Sequence, residues 1–186
     1  MQLFHRSAPA VGRPLLRKAM LGVMAGLASY LLLLWLHNPW DEILAAASIG
    51  SVIGVADGSG KRALTGSIAC AAGWLLGSLL FNFWIELGTG AWIVAGAFLA
   101  ASSAQKRKWW VIVPALLLGS IAGLLAELAR YLTLLSPRLR GFDMELLLLL
   151  AAGLLLNVVA AVFAPPLGAV HHAPKTVSDV HSAVGL

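Results

Sequence analysis

The sequence predicts an all-α polytopic membrane protein, a bundle of six transmembrane helices with both termini cytoplasmic, and three observations predict it. Of 186 residues, 60% are hydrophobic and 11% charged, whereas a soluble domain is about half apolar and a quarter charged. The apolar residues come in long blocks, which leaves too few polar side chains to cover a water-facing surface. The Lys and Arg residues lie between those blocks, the arrangement that orients helices in a bilayer rather than one that lines a phosphate backbone. No nucleic-acid partner is therefore expected, despite a formal net charge of +5.

A spanning helix needs about 20 mostly apolar residues. Six blocks approach that length: 19–36, 43–56, 63–85, 88–104, 109–135 and 146–169. The second is short and suits a thin, tilted or re-entrant segment whose ends lean on its neighbours. Pro114 falls near the start of the fifth block and Pro165-Pro166 near the end of the sixth, where a missing backbone donor breaks little of a helix. The first block is longer than the apolar run of a signal peptide, and no small-residue cleavage site follows it before His37-Asn38-Pro39-Trp40. It is expected to stay as an anchor. Around this membrane domain, residues 19–170, lie a basic segment at 1–18 and a polar tail at 171–186 that is expected to be flexible.

Loop charges test the count. With six spans and the N-terminus inside, Arg6, Arg13, Arg17, Lys18, Lys61, Arg62, Lys106, Arg107, Lys108 and Lys175 fall on the inner face, and Arg130, Arg138 and Arg140 on the outer, ten against three. That bias sets orientation during insertion. Asp41, Glu42, Glu86, Asp143 and Glu145 all fall outside. The expected location is a bacterial inner membrane, crossed several times. Trp35, Trp40, Trp84, Trp92, Trp109 and Trp110 cluster near predicted helix ends, where indoles anchor at the interface.

Glycines are spaced four apart on four blocks: Gly22 and Gly26, Gly50 and Gly54, Gly73 and Gly77, Gly119 and Gly123. In lipid, small faces that let backbones approach closely are a main source of helix association. These faces serve packing inside the bundle, or one of them docks a second copy or a partner membrane subunit. The first helix suits docking best, since Gly22, Ala25, Gly26 and Ser29 share one side of it. Gly66-Ser67-Ile68-Ala69 also reappears as Gly119-Ser120-Ile121-Ala122, the kind of echo an internal repeat leaves.

Ionisable groups at membrane depth are functional candidates, because inserting one costs at least about 2.5 kcal/mol. Glu127 and Arg130 lie three apart on one face of the fifth block. They would pair with each other, or Arg130 would hold an anionic solute that Glu127 orients. Asn157, mid-way along the sixth block, needs a partner for its amide. Cys70 is read as a small apolar filler, with solute contact as the alternative, and as the single cysteine it forms no internal disulfide. The stretch Asp57-Gly58-Ser59-Gly60-Lys61-Arg62 lacks the phosphate-loop pattern. It reads as a tight turn in which Asp57 pairs with a nearby base. His37, His171, His172 and His181 form no metal set, and no nucleophile stands at helix spacing from a base. Neither an enzyme nor a cofactor is expected.

Across residues 17–80 the order of features resembles the membrane unit of the fusaric acid resistance and aromatic acid exporter family. A basic flank enters a small-residue first helix, Asn38-Pro39-Trp40 opens the second, Lys61-Arg62 precedes a helix carrying Gly66-Ser67, Gly73 and Gly77, and Phe163-Ala164-Pro165 closes the unit. The resemblance is to that unit without the family's large cytoplasmic domain, and the Arg-to-Gly spacing after the second helix differs. It implies an exporter-like permease for a small solute. In architecture the chain is also similar to the substrate-binding subunits of energy-coupling-factor vitamin importers, six-helix proteins that dock through small residues on their first helix. That likeness implies a pocket lined by Glu127, Arg130 and His37, with Cys70 at its floor. A membrane-complex assembly or structural protein is the third expectation.

Overall fold

The computed structural model describes residues 12–36, 41–84, 90–104, 108–135 and 143–164. Six helices form: α1 (Gly12–Leu36), α2 (Asp41–Ala56), α3 (Gly60–Trp84), α4 (Ala91–Ser103), α5 (Trp109–Leu135) and α6 (Met144–Phe163). The bounds of α5 match the expected block, and α1 begins seven residues before its block, at Gly12. The tail, the four histidines considered above, Trp40, Lys106, Arg107 and the Pro165-Pro166 pair lie outside the described residues.

Four helices, α1, α3, α5 and α6, are long and apolar enough to cross a membrane. The other two are shorter. At 16 and 13 residues, α2 and α4 measure about 24 and 20 Å at 1.5 Å per residue, against a hydrocarbon core of about 30 Å. The sequence singles out the second block as the short one, yet α4 is shorter still. Its start is set by Gly90, whose φ of 125° suits glycine. A Cβ there would also run into the ring of Phe81.

Consecutive helices pack side by side, α6 closes the ring onto α1, and α6 also touches α2 and α4. The short helices α2 and α4 are largely buried, and among the long helices α1, α3 and α5 present broad apolar surfaces. Leu16, Met20, Met24, Leu27, Leu31 and Leu34 form an exposed stripe on α1, and α3 and α5 carry similar apolar surfaces. Such surfaces are disfavoured in water and natural in lipid. Among the candidate spans, α6 is the most enclosed.

The glycines account for the pairing. A Cβ on Gly22 would collide with the carbonyl oxygen of Gly153, and one on Gly153 with that of Gly22. The same reciprocal collision links Gly50 with Gly66 and Gly96 with Gly119. One turn along, Gly26 meets Leu149, Gly54 meets Ala63 and Gly123 meets Trp92, so each pair runs antiparallel. The bundle is thus three antiparallel pairs, α6 with α1, α2 with α3 and α4 with α5, each crossing where two backbones touch without side chains between them. Gly73 and Gly77 add a further seam against Ala95 and Ala91 of α4. The two Gly-Ser-Ile-Ala stretches occupy equivalent places: Gly66 and Gly119 each touch a glycine of the preceding helix, while Ile68 and Ile121 are exposed.

These contacts bear directly on docking. The Gly22–Gly26 face of α1 is covered by α6, and Ser29 is 2% exposed with its hydroxyl 2.5 Å from that of Ser48 on α2. The spaced glycines of α1 are thus occupied inside the bundle, against α6.

Candidate functional site

Antiparallel packing gathers the starts of α2, α4 and α6 with the last turns of α1 and α5 at one end, hereafter the acidic end. Glu127 stands there on α5, one turn beyond Gly123, the glycine that seats α5 against Trp92. Its side chain is 4% exposed. Its Oε1 accepts the backbone N–H groups of Gly90 at 3.1 Å and Trp92 at 3.4 Å. The physical reason lies in the shortness of α4. A helix that starts inside the bundle leaves its first N–H groups away from water, and a carboxylate from the neighbouring helix satisfies them and complements the helix dipole. The other oxygen, Oε2, is buried without a hydrogen-bond partner among the described residues.

Arg130, expected beside Glu127, lies within electrostatic reach of it and forms its hydrogen bond and ion pair across to α6. Its Nη2 lies 2.9 Å from Glu145 Oε1 and donates to Oε2 at 3.1 Å. The structure therefore gives the two residues different recorded partners, because Glu127 turns toward the start of α4 and Arg130 toward the start of α6. Asp143 caps α6, accepting the N–H of Glu145 at 2.8 Å, and its other oxygen accepts the Tyr30 hydroxyl at 2.9 Å, which ties α1 to this end. At the first turn of α2, Asp41 is 4% exposed and Glu42 is exposed. Glu42 is within electrostatic reach of Asp41, Glu127, Arg130 and Glu145. Among the described residues, three carboxylates and one guanidinium thus stand within electrostatic reach of Glu42.

The opposite end is built differently. Asp57, whose side chain is 1% exposed, stands between Lys18 Nζ and Arg62 Nη1, each 2.9 Å from one of its oxygens. The turn expected here is present. Ser59 N–H bonds Gly54 O and Gly58 N–H bonds Val55 O, with Gly58 at φ 67°, the paired 6→1 and 5→2 hydrogen bonds of a glycine-terminated helix end. Arg62 is the nearby base the sequence points to. Lys18 is the partner that sequence reading missed, and no local signal marks it, since it arrives from a different helix.

Between the two ends, Asn157 is fully buried. Its Nδ2 donates to Ile49 O on α2 at 3.1 Å and to Gly153 O at 2.9 Å, the interhelical bond expected of a mid-membrane amide. Cys70 is fully buried on α3 against Gly50 of α2. It fills a helix seam as a small apolar group and is not brought to Glu127 or Arg130. Trp92, expected at an interface, is 2% exposed in the core, whereas Trp35, Trp109 and Trp110 are exposed near helix ends as expected. Lys108 Nζ stands 4.6 Å over the ring of Trp110. Among the described residues, no group of three His, Cys, Asp or Glu side chains is arranged to hold a metal ion.

Compared with protein-family models, with curated proteins and with solved structures, the chain gives no significant match.

Proposed function

We propose that this chain is a small-solute permease of a bacterial inner membrane, crossing it six times with both termini inside. The observation that carries the reading is the set of ionisable groups at the acidic end, above all Glu127. Apolar helices with reciprocal glycine contacts associate in lipid without any charge. Retaining a nearly buried carboxylate there, within electrostatic reach of Arg130, Glu145 and Glu42, is the pattern of a site that meets a polar solute. The ten-to-three distribution of Lys and Arg supports the orientation, with the acidic end outside. An exporter-like direction rests on the resemblance of residues 17–80 to the aromatic acid exporter membrane unit.

An anionic solute held by Arg130 loses support, because that guanidinium is already bonded to Glu145 and stands among carboxylates. The importer-subunit alternative loses support as well, since its docking face on α1 is filled by α6.

Two experiments test the proposal. In a Cys70→Ala background, Asp143→Cys should react with a membrane-impermeant maleimide added outside intact cells, and Ser59→Cys only after the membrane is opened. Labelling of both from the same side would overturn the six-span topology. The whole chain reconstituted in proteoliposomes should support saturable flux of a small labelled solute that stops in Glu127→Gln. Flux no greater than that of empty liposomes across a panel of small cations, anions and neutral metabolites would overturn the permease reading.

A further inference from the structure

We infer that the bundle is three copies of one helix pair related by a pseudo-threefold axis, so that Trp74 of α3 packs against Ala46 of α2 as Glu127 of α5 meets the start of α4. The inference concerns the scaffold and does not rest on any solute. The reciprocal glycine contacts define the relation. Gly22 of α1, Gly66 of α3 and Gly119 of α5 each touch one glycine, on α6, α2 and α4 respectively. Each odd-numbered helix thus grips the even-numbered helix that precedes it in the chain, and α1, having none before it, grips the last. α6 touches both α2 and α4, which puts the even-numbered helices at the centre. In lipid, a close backbone contact of this kind is a main source of helix association, so one contact used three times is enough to close the ring.

Positions counted from these glycines agree one after another. Four residues on, Gly26 meets Leu149 and Gly123 meets Trp92, each four before the glycine of its inner helix. Seven on, Ser29 meets Ser48 of α2 and Gly73 meets Ala95 of α4, each on the helix that follows. Eleven on, Gly77 meets Ala91 of α4 and Arg130 meets Glu145 of α6. Eight on stand Tyr30, Trp74 and Glu127. Tyr30 donates to Asp143, the cap of α6, and Glu127 accepts from the start of α4, both on the inner helix that the outer one grips. The relation assigns Trp74, 9% exposed, to α2 at Ala46, which is fully buried in the same core cluster. Ala46 stands where α4 carries Trp92 and α6 carries Leu149, so the smallest inner side chain faces the indole. The relation also accounts for Glu127. α2 and α6 begin nine residues before their glycines and α4 only five. Leu147 N–H therefore bonds Asp143 O within the first turn of α6, whereas its equivalent, Gly90, donates to the carboxylate that stands in for the missing turn. A basic cluster precedes each odd-numbered helix, at Arg17-Lys18, Lys61-Arg62 and 106–108, so the orienting signal repeats with the helices.

Peptide-resolved hydrogen exchange of the full chain in lipid nanodiscs tests the relation, because local opening is read where it occurs. Three substitutions at equivalent positions should each loosen a different inner helix: Tyr30→Phe the start of α6, Trp74→Ala the start of α2 and Glu127→Leu the start of α4. Exchange about tenfold faster at 41–46 is expected in Trp74→Ala. Faster exchange confined to α3 and α4 in that variant, with 41–46 unchanged, would overturn the inference. A milder pair keeps the test open where Trp74→Ala fails to fold. Ala46→Val and Trp74→Phe, made singly and together, should shift the melting temperature non-additively, since residues in contact couple and distant ones do not. The added methyl groups at Ala46 should be tolerated better once the indole has been cut back to a phenyl ring. Additive shifts in the double variant would overturn the contact and with it the threefold relation.

Discussion

Both ends of the bundle hold buried carboxylates, yet they differ in how charge is balanced. At the basic end one aspartate, Asp57, sits between two cations, each 2.9 Å from one of its oxygens. At the acidic end, among the described residues, carboxylates outnumber the one guanidinium near Glu42, and one buried Glu127 oxygen has no hydrogen-bond partner. Ion pairs that close on themselves hold helices together. An unbalanced group that stays buried costs stability, and such costs concentrate where a protein binds something. The comparison sets a latch, Lys18–Asp57–Arg62, against the candidate site proposed at the acidic end, and the two are joined by α1, which carries Lys18 at one end and Tyr30 at the other.

The strongest way to break the comparison is to disconnect α1 altogether. Gly22→Leu forces a side chain against the backbone of Gly153, so α1 must leave α6, and the contacts of both Lys18 and Tyr30 should fail together. Loss of the folded, monodisperse protein in detergent is the expected outcome; a normal elution profile and melting temperature would refute the reciprocal glycine contact. Next comes the latch. Asp57→Leu leaves Lys18, 8% exposed, without its counter-ion, and breaking a buried pair costs about 3 kcal/mol at the lower end of its range, the lower end applying because Arg62 is partly exposed. Unfolding in mixed micelles should register this. A third effect is smaller. Glu127→Leu removes the acceptor for the start of α4, a loss of about 1 kcal/mol by analogy with helix caps, and it should cost stability and solute flux together, whereas Glu127→Gln, whose carbonyl can still accept those N–H groups, should cost only the flux. Smallest is Ser48→Ala, which removes one hydroxyl from the α1–α2 contact with Ser29 and should lower stability by about 1 kcal/mol or less, with both ends unaffected.

Much of the scaffold is legible in the sequence, and the reason is that it depends on composition and spacing along one chain segment. The bounds of α5 follow from a long, mostly apolar run, and the turn at Gly58 follows from residues that are adjacent. The spaced glycines are legible as packing faces, but their partners are not. Gly153, Gly66 and Gly96 belong to no four-residue glycine spacing, yet each is the backbone on which a spaced pair rests. The same limit applies to charge. Glu127 and Arg130 share a helix face, which suggests a pair, while the short α4 brings unsatisfied N–H groups to Glu127 and α6 brings Glu145 to Arg130. Those competitors come from other helices, and helical spacing carries no information about them. Lys18 is missed for the same reason.

Arg130 ties α5 to α6 through Glu145 and stands among the carboxylates of the acidic end. Arg130→Ala therefore tests the central claim, that a polar solute meets the bundle at this end, with saturable flux in proteoliposomes as the readout. Flux should change several-fold, up to about tenfold for a shift of 1.4 kcal/mol, while the melting temperature falls little because Glu145 is free to face water. Unchanged flux in a variant that remains folded would contradict the account.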